Sequence, residues 1–175
     1  MIALRLSPED QRLARQASED FLAWSIASQN TANPHQRVNK WLNMYDAKRE
    51  MQVAYGAEIA VARHLGLPWN GVNNGKRKAD VGDNVEVRHT KSQFLIVRGN
   101  DREEDVAFLV KGESLDRLFL VGFMPVRMAR QEAYKVANEQ TWFVPQGDLY
   151  QMMPQKGAVK PFLAALAARS RTDAQ

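Results

Sequence analysis

Four side chains have the type and spacing to do chemistry together. At about 100° per residue, Met51, Ala54, Tyr55, Glu58, Val61, Ala62 and Leu65 fall on one side of a helix, and only Glu58 is not apolar. A carboxylate on such a stripe requires a partner: an arginine, a metal ion or a hydrogen-bond network. A structural salt bridge, for example to Arg63, or a stripe edge open to water would explain it as well. The second group lies in Lys78-Ala-Asp80-Val-Gly82-Asp83-Asn84-Val-Glu86-Val-Arg88. Asp80 precedes a turn and Glu86 opens the strand behind it, so a short hairpin brings the two acids close. Strand alternation puts Arg88 on the face of Glu86, about 7 Å along. Close carboxylates repel unless a proton or a cation separates them. Carboxylate and carbonyl oxygens are the ligands a hard cation such as Mg²⁺ prefers. A polar hairpin with a surface ion pair would give the same spacing.

The elements that must position these residues are legible in outline. Ser7, Pro8, Glu9 and Asp10 start a helix: a hydroxyl cap, proline at the first position and acids on the positive end of the dipole. Leu13, Ala17, Phe21 and Trp24 continue it to about Gln29, with Trp24 expected in the core. Asn33-Pro34 starts a second helix with Val38, Trp41, Leu42 and Tyr45 as its stripe. The helical pattern then runs on, with Gly56 a candidate break, to Gly66 and Pro68, a stop signal. Trp69 to Lys78 reads as a loop. Val85–Thr90 alternates as a strand, and Phe94–Val97 reads as a central strand covered on both faces. Val106–Lys111, Leu118–Met124 and Trp142–Val144 are further strands. Pro125–Lys135 reads as a short helix, Pro161–Arg169 as a closing one, and the acidic stretch Asp101–Asp105 as a solvated loop. Helices first and strands after predict an α/β (α+β) sheet domain.

Composition limits the function. The 175 residues carry 24 Lys and Arg against 20 Asp and Glu, a net charge of +4 that permits a nucleic-acid partner without demanding one. With no cysteine, disulfides, thiolate zinc sites and cysteine nucleophiles are excluded. The apolar runs Leu118–Val126 and Pro161–Ala168 fall short of the roughly 20 residues of a membrane helix. The N-terminus lacks the roughly 7–15-residue apolar core of a signal peptide, so a cytoplasmic protein without a membrane partner is expected. His35, His64 and His89 form no metal-ligand spacing, and His89 reads as a core or rim residue. No phosphate-binding loop, dinucleotide glycine pattern or serine elbow occurs.

Glu58 on a helix, Asp80 at a strand end and Glu86-Val-Arg88 on the next strand resemble the PD-(D/E)xK nuclease superfamily, including its small phage and mobile-element members. The resemblance spans about Met51 to Phe123. It implies a restriction-endonuclease-like mixed sheet flanked by helices, with residues 1–47 a helical region and 48–175 the nuclease-like core of one compact domain. It also implies a Mg²⁺- or Mn²⁺-dependent deoxyribonuclease with Glu58, Asp80, Glu86 and Arg88 catalytic. Asp80, Glu86, Glu58 and the Val87 carbonyl would bind the metal. If the chain is phage-encoded, its place is the host cytoplasm, and a homodimer would suit cutting both strands.

Two positions depart from the family pattern. Ala79 stands where proline is frequent, which affects only the turn. Arg88 replaces lysine, and arginine stays protonated, so it cannot serve as a general base, although its fork suits phosphate oxygens. Lys76, Arg77 and Lys78 just before Asp80, and Lys91 beyond Arg88, are the candidate DNA contacts. Arg127, Arg130 and Lys135 could add a basic helix face, and Trp69 is the candidate for base stacking. The alternative is a catalytically inactive member of the fold that binds nucleic acid or a protein partner.

Overall fold

The computed structural model describes residues 1–29, 44–72, 78–137 and 139–151. The expected helix after Pro34, Trp41, the closing helix Pro161–Arg169, Lys76 and Arg77 lie outside them. The first helix, α1 (Pro8–Gln29), starts as its sequence dictates: Ser7 Oγ accepts the Asp10 N–H at 3.1 Å. Its buried face is Asp10, Ala14, Ala17 and Ser18, so of the expected stripe Ala17 is buried while Leu13 and Trp24 are exposed. Small side chains let α1 pack closely on α2 (Met44–Leu65), where Ala14 meets Ile59 and Leu115. Trp24 is turned out and 43% exposed, which corrects its core placement.

The second helix, α2, is unbroken at Gly56, whose missing side chain leaves room for Leu115. Its end is a Schellman motif: Leu67 N–H donates to Ala62 O at 3.0 Å and Gly66 N–H to Arg63 O at 3.3 Å, with Gly66 at φ 65°. Its apolar face packs on a mixed four-stranded sheet in the order β1 (Ile2–Leu4), β5 (Arg117–Pro125), β4 (Val106–Ser114), β2 (Val85–His89). Only the β2–β4 pair is parallel, so the chain is α+β.

The two faces of the sheet are covered differently. Val85, Val87, Phe108, Val110, Leu118 and Leu120 face Val53, Ala57 and Val61 of α2. On the other face, Ala107, Leu109, Val121 and Met124 pack under Leu95, Val97 and Val144 of a separate antiparallel ribbon, β3 (Phe94–Arg98) with β6 (Thr141–Pro145). The strand β3 is therefore not central: Leu95 and Val97 are buried, but Phe94 is 40% exposed. Its unbroken apolar run reflects pairing with β6 rather than cover on both sides. The expected helix Pro125–Lys135 is shorter, α3 (Val126–Ala129) followed by a 3₁₀ turn at Glu132–Tyr134. Among the described residues no helix is long and apolar enough to cross a membrane.

Candidate active site

The turn before β2 is built by short-range backbone pairing. Val81 and Val85 exchange N–H···O bonds of 3.0 and 3.2 Å, and Gly82, at φ 57°, donates to Pro68 O at 2.8 Å. Asn70 fastens the outside of the turn, its amide donating to Ala79 O at 2.8 Å and to Gly82 O at 2.5 Å. Asp80 is thereby held beside the free edge of β2, where Oδ2 accepts the Val87 N–H at 2.8 Å. In an extended strand a residue's N–H and C=O point to the same side, so the Val87 carbonyl also faces this edge.

Glu86 and Arg88 pair in register with Ala107 and Leu109, which puts them on the ribbon side of the sheet. Glu58 comes from α2, and its Oε2 accepts the Trp69 indole N–H at 2.9 Å. Tyr55 packs edge-on against Trp69, with ring centroids 6.3 Å apart. Trp69 is thus committed to Glu58 as a hydrogen-bond donor. Arg63 pairs with Asp10 and so does not account for Glu58, which is part-exposed and held by the Trp69 indole.

The electrostatics show how closely these groups share a pocket. Burial, followed by the charge of Asp80, pushes the Glu58 carboxyl well above its ordinary range, despite the Trp69 hydrogen bond. Burial and Asp80 raise Glu86 to about 7, against the pull of Arg88. Asp80 is raised by burial, with the Val87 N–H and Arg88 opposing. Burial, Glu58 and Asp80 push the Tyr55 hydroxyl up to about 12. Burial is the first cause of every one of these shifts, and neighbouring carboxylates add to it at Glu58, Glu86 and Tyr55.

The compensation present is Arg88. Its Nη1 stands 3.0 Å from Glu86 Oε2 and 3.9 Å from Asp80 Oδ2, and its Nη2 is 2.6 Å from Asp101 Oδ1. Burial works against its charge, but Asp101, Glu86 and Asp80 together raise its pKa. Its Nε is buried with no partner among the described residues. Asp101 was not singled out by sequence reasoning, which left Asp101–Asp105 in a solvated loop. That placement is corrected: the Asp101 side chain is only 6% exposed, and its Oδ2 accepts the Arg98 N–H at 2.8 Å. Asp105 is buried too, in a pair with Arg102 at 2.6 Å. The available signal was an acid directly after the Gly99-Asn100 turn that ends a strand.

Of the expected basic residues, those that are described are placed as follows. Lys78 is exposed, and Lys91 reaches back to Glu50 at 2.8 Å. Arg130 is occupied by the carbonyls of Arg98, Gly99 and Asp101 and lies over the Trp142 ring at 5.3 Å, so it belongs to no basic helix face. Lys135 pairs with Glu132 at 3.3 Å. His89 is a rim residue, with Nε2 2.8 Å from Gly112 O.

Among the described residues, no three Asp, Glu, His or Cys side chains surround a common point as a formed metal-ligand set. Arg88 takes the space between Glu86 and Asp80. On chemistry, however, the donors suit a hard cation: buried carboxyl oxygens in excess of positive charge, beside a free backbone carbonyl. Compared with family models, curated proteins and solved structures, the chain matches none.

Proposed function

We propose that this protein is a metal-dependent nuclease of restriction-endonuclease-like fold that hydrolyses DNA phosphodiester bonds. One observation carries the reading: acids from a helix, a turn and a strand meet in a largely buried pocket, where burial raises all three, Asp80 raises Glu86, and Asp80 and Glu86 raise Glu58. Burial makes these carboxylates costly as anions, and a divalent cation can offset that cost in place of protons.

Asp80, Glu86, Glu58 and the Val87 carbonyl are the groups that would hold Mg²⁺ or Mn²⁺. Bound there, a divalent ion would lower the pKa of water and neutralise charge developing on the phosphate. The chain's own residues do the rest. Glu86, with a pKa of about 7, gives up its proton near neutral pH. Arg88 serves as a phosphate-binding fork rather than a base, held in position by Asp101.

The test is cleavage of plasmid and linear DNA with Mg²⁺. Wild type is expected to cut, and Glu86→Gln to be slower by about 10²–10³-fold, the usual loss when one charge-stabilising group is removed. Equally intact substrate with both proteins refutes the reading. A second reading, a non-catalytic member of the fold that binds nucleic acid or a protein partner, is favoured by the close Arg88–Glu86 and Arg88–Asp101 pairs, a built-in cation. It predicts no Mg²⁺ or Mn²⁺ uptake in a calorimetric titration while DNA binding persists.

A further inference from the structure

The ribbon covers only part of the sheet face that carries Glu86 and Arg88. Beyond Arg88 the same face opens, among the described residues, onto a cleft. Thr90 N–H donates to Val110 O at 3.3 Å, which extends the β2–β4 register to bring Thr90 beside Lys111. Lys111 pairs with Phe119 across β4–β5, and Arg117 lies two residues before Phe119 on the same face. Thr90, Lys91, Lys111, Arg117 and Phe119 line an open cleft of about 300 Å³. Glu113 is the only acid among its lining residues.

Lys91 is paired with Glu50, whereas Lys111 and Arg117 have no ion-pair partner among the described residues. Two cations without an ion-pair partner among the described residues therefore flank a half-buried aromatic ring. From Glu86 to Thr90 the strand advances about 13 Å at roughly 3.3 Å per residue, a span of a few nucleotides.

We infer that this cleft is a binding track for single-stranded DNA leading to the acidic pocket. Lys111 and Arg117 take backbone phosphates and Phe119 offers its ring to an unpaired base. The combination of cations with an aromatic surface is what strand-tracking sites use, and a base inside a duplex cannot reach such a ring. This inference rests on the nuclease reading for the direction of the track, but its test is separate from catalysis.

Fluorescein-labelled dT12 is titrated with the full chain in EDTA, followed by anisotropy, beside a labelled duplex of the same length. Lys111→Gln/Arg117→Gln is expected to bind dT12 at least tenfold more weakly. Its salt dependence should be shallower by about 1.4 in log K against log [salt], since each single-strand phosphate contact contributes about 0.7. The charge-matched control Arg12→Gln/Arg15→Gln, on the exposed face of α1, should bind as wild type does. Phe119→Leu should weaken dT12 several-fold and leave duplex binding unchanged.

Equal losses in the two double variants, no binding of dT12 by wild type, or a duplex bound as tightly as dT12 with Phe119→Leu silent would each overturn the track. Should Phe119→Leu fail to fold, the two double variants still decide the matter. Cleavage of DNA with the track disproved leaves the nuclease reading intact; binding without Mg²⁺-dependent cleavage does the reverse.

Discussion

Two acid–arginine assemblies in this protein use the same groups and reach opposite electrostatic states. At the start of α1, Asp10 accepts two hydrogen bonds from Arg63, at 2.9 and 2.8 Å, and one from the Ser7 hydroxyl at 2.8 Å. Burial opposes its charge, but these donors more than offset it, and its pKa is lowered. At the edge of β2, one arginine serves Glu86, Asp80 and Asp101, while Glu58 stands by with only an indole N–H. Burial wins, joined by carboxylate repulsion at Glu58 and Glu86, and Glu58, Asp80 and Glu86 are raised. Stoichiometry separates the two. One acid with three donors is a finished structural clamp, whereas several acids around a single guanidinium leave capacity for a further cation.

Removing each arginine breaks the comparison most directly. Arg88→Met should destabilise the metal-free protein by about 3–5 kcal/mol in urea unfolding at pH 8, the range for stranding buried charges. The loss should shrink at pH 5, where protons replace the missing cation. Arg63→Met should cost only about 1 kcal/mol, because Asp10 keeps the Ser7 hydroxyl and the positive end of α1. Equal costs would erase the distinction.

The pH dependence should separate the sites by sign. Glu86, raised from the ordinary 4.5 to about 7, holds its proton longer in the folded state than in the unfolded chain. The folded state binds more protons across that window, so stability is greatest near pH 5 and falls as pH rises through about 7, by about 1–3 kcal/mol. Metal-free melting temperatures should follow that decline, and Glu86→Gln should flatten it. Asp10, with its lowered pKa, acts the other way: its contribution is present above about pH 4 and is lost in stronger acid. A metal-free protein that grows more stable from pH 5 to pH 8 would contradict the electrostatics of the pocket.

Glu58→Gln sharpens the contrast with the smallest change in stability. Burial and the charge of Asp80 push this carboxyl toward its neutral form, which glutamine resembles, and a glutamine oxygen can still accept from Trp69. Unfolding free energy at pH 7 should stay within about 0.5 kcal/mol of wild type, while calorimetric Mg²⁺ uptake weakens. A large loss of stability would show Glu58 to be structural.

Much of this site was legible because its signals are local. Period alone marked Glu58 as an acid on an apolar stripe, and the turn residues Gly82, Asp83 and Asn84 implied that Asp80 folds back toward Glu86. The helix cap at Ser7 and the stop at Gly66 were equally local. Asp101 and Trp69 were missed as partners because both act across separations of 13 and 11 residues, which no period encodes. Trp24 and Phe94 were misplaced for a related reason. Apolar patterning names a candidate buried face, but which face is buried depends on what packs against it. Small residues let α1 pack closely on α2, and pairing with β6 made a ribbon of β3.

The amino-acid order by itself determined the start of α1 and the end of α2, the strand alternation that sends Glu86 and Arg88 to one face, and the absence of cysteine chemistry. Each is fixed by backbone geometry and residue type within a few positions of the chain. Only the tertiary structure decided that Arg88 is shared among acids from different segments, and that Lys111, Arg117 and Phe119 lie along the same face. Charge interactions act through space, and burial, which gives them their strength here, exists only once α2, the sheet and the ribbon have closed around them.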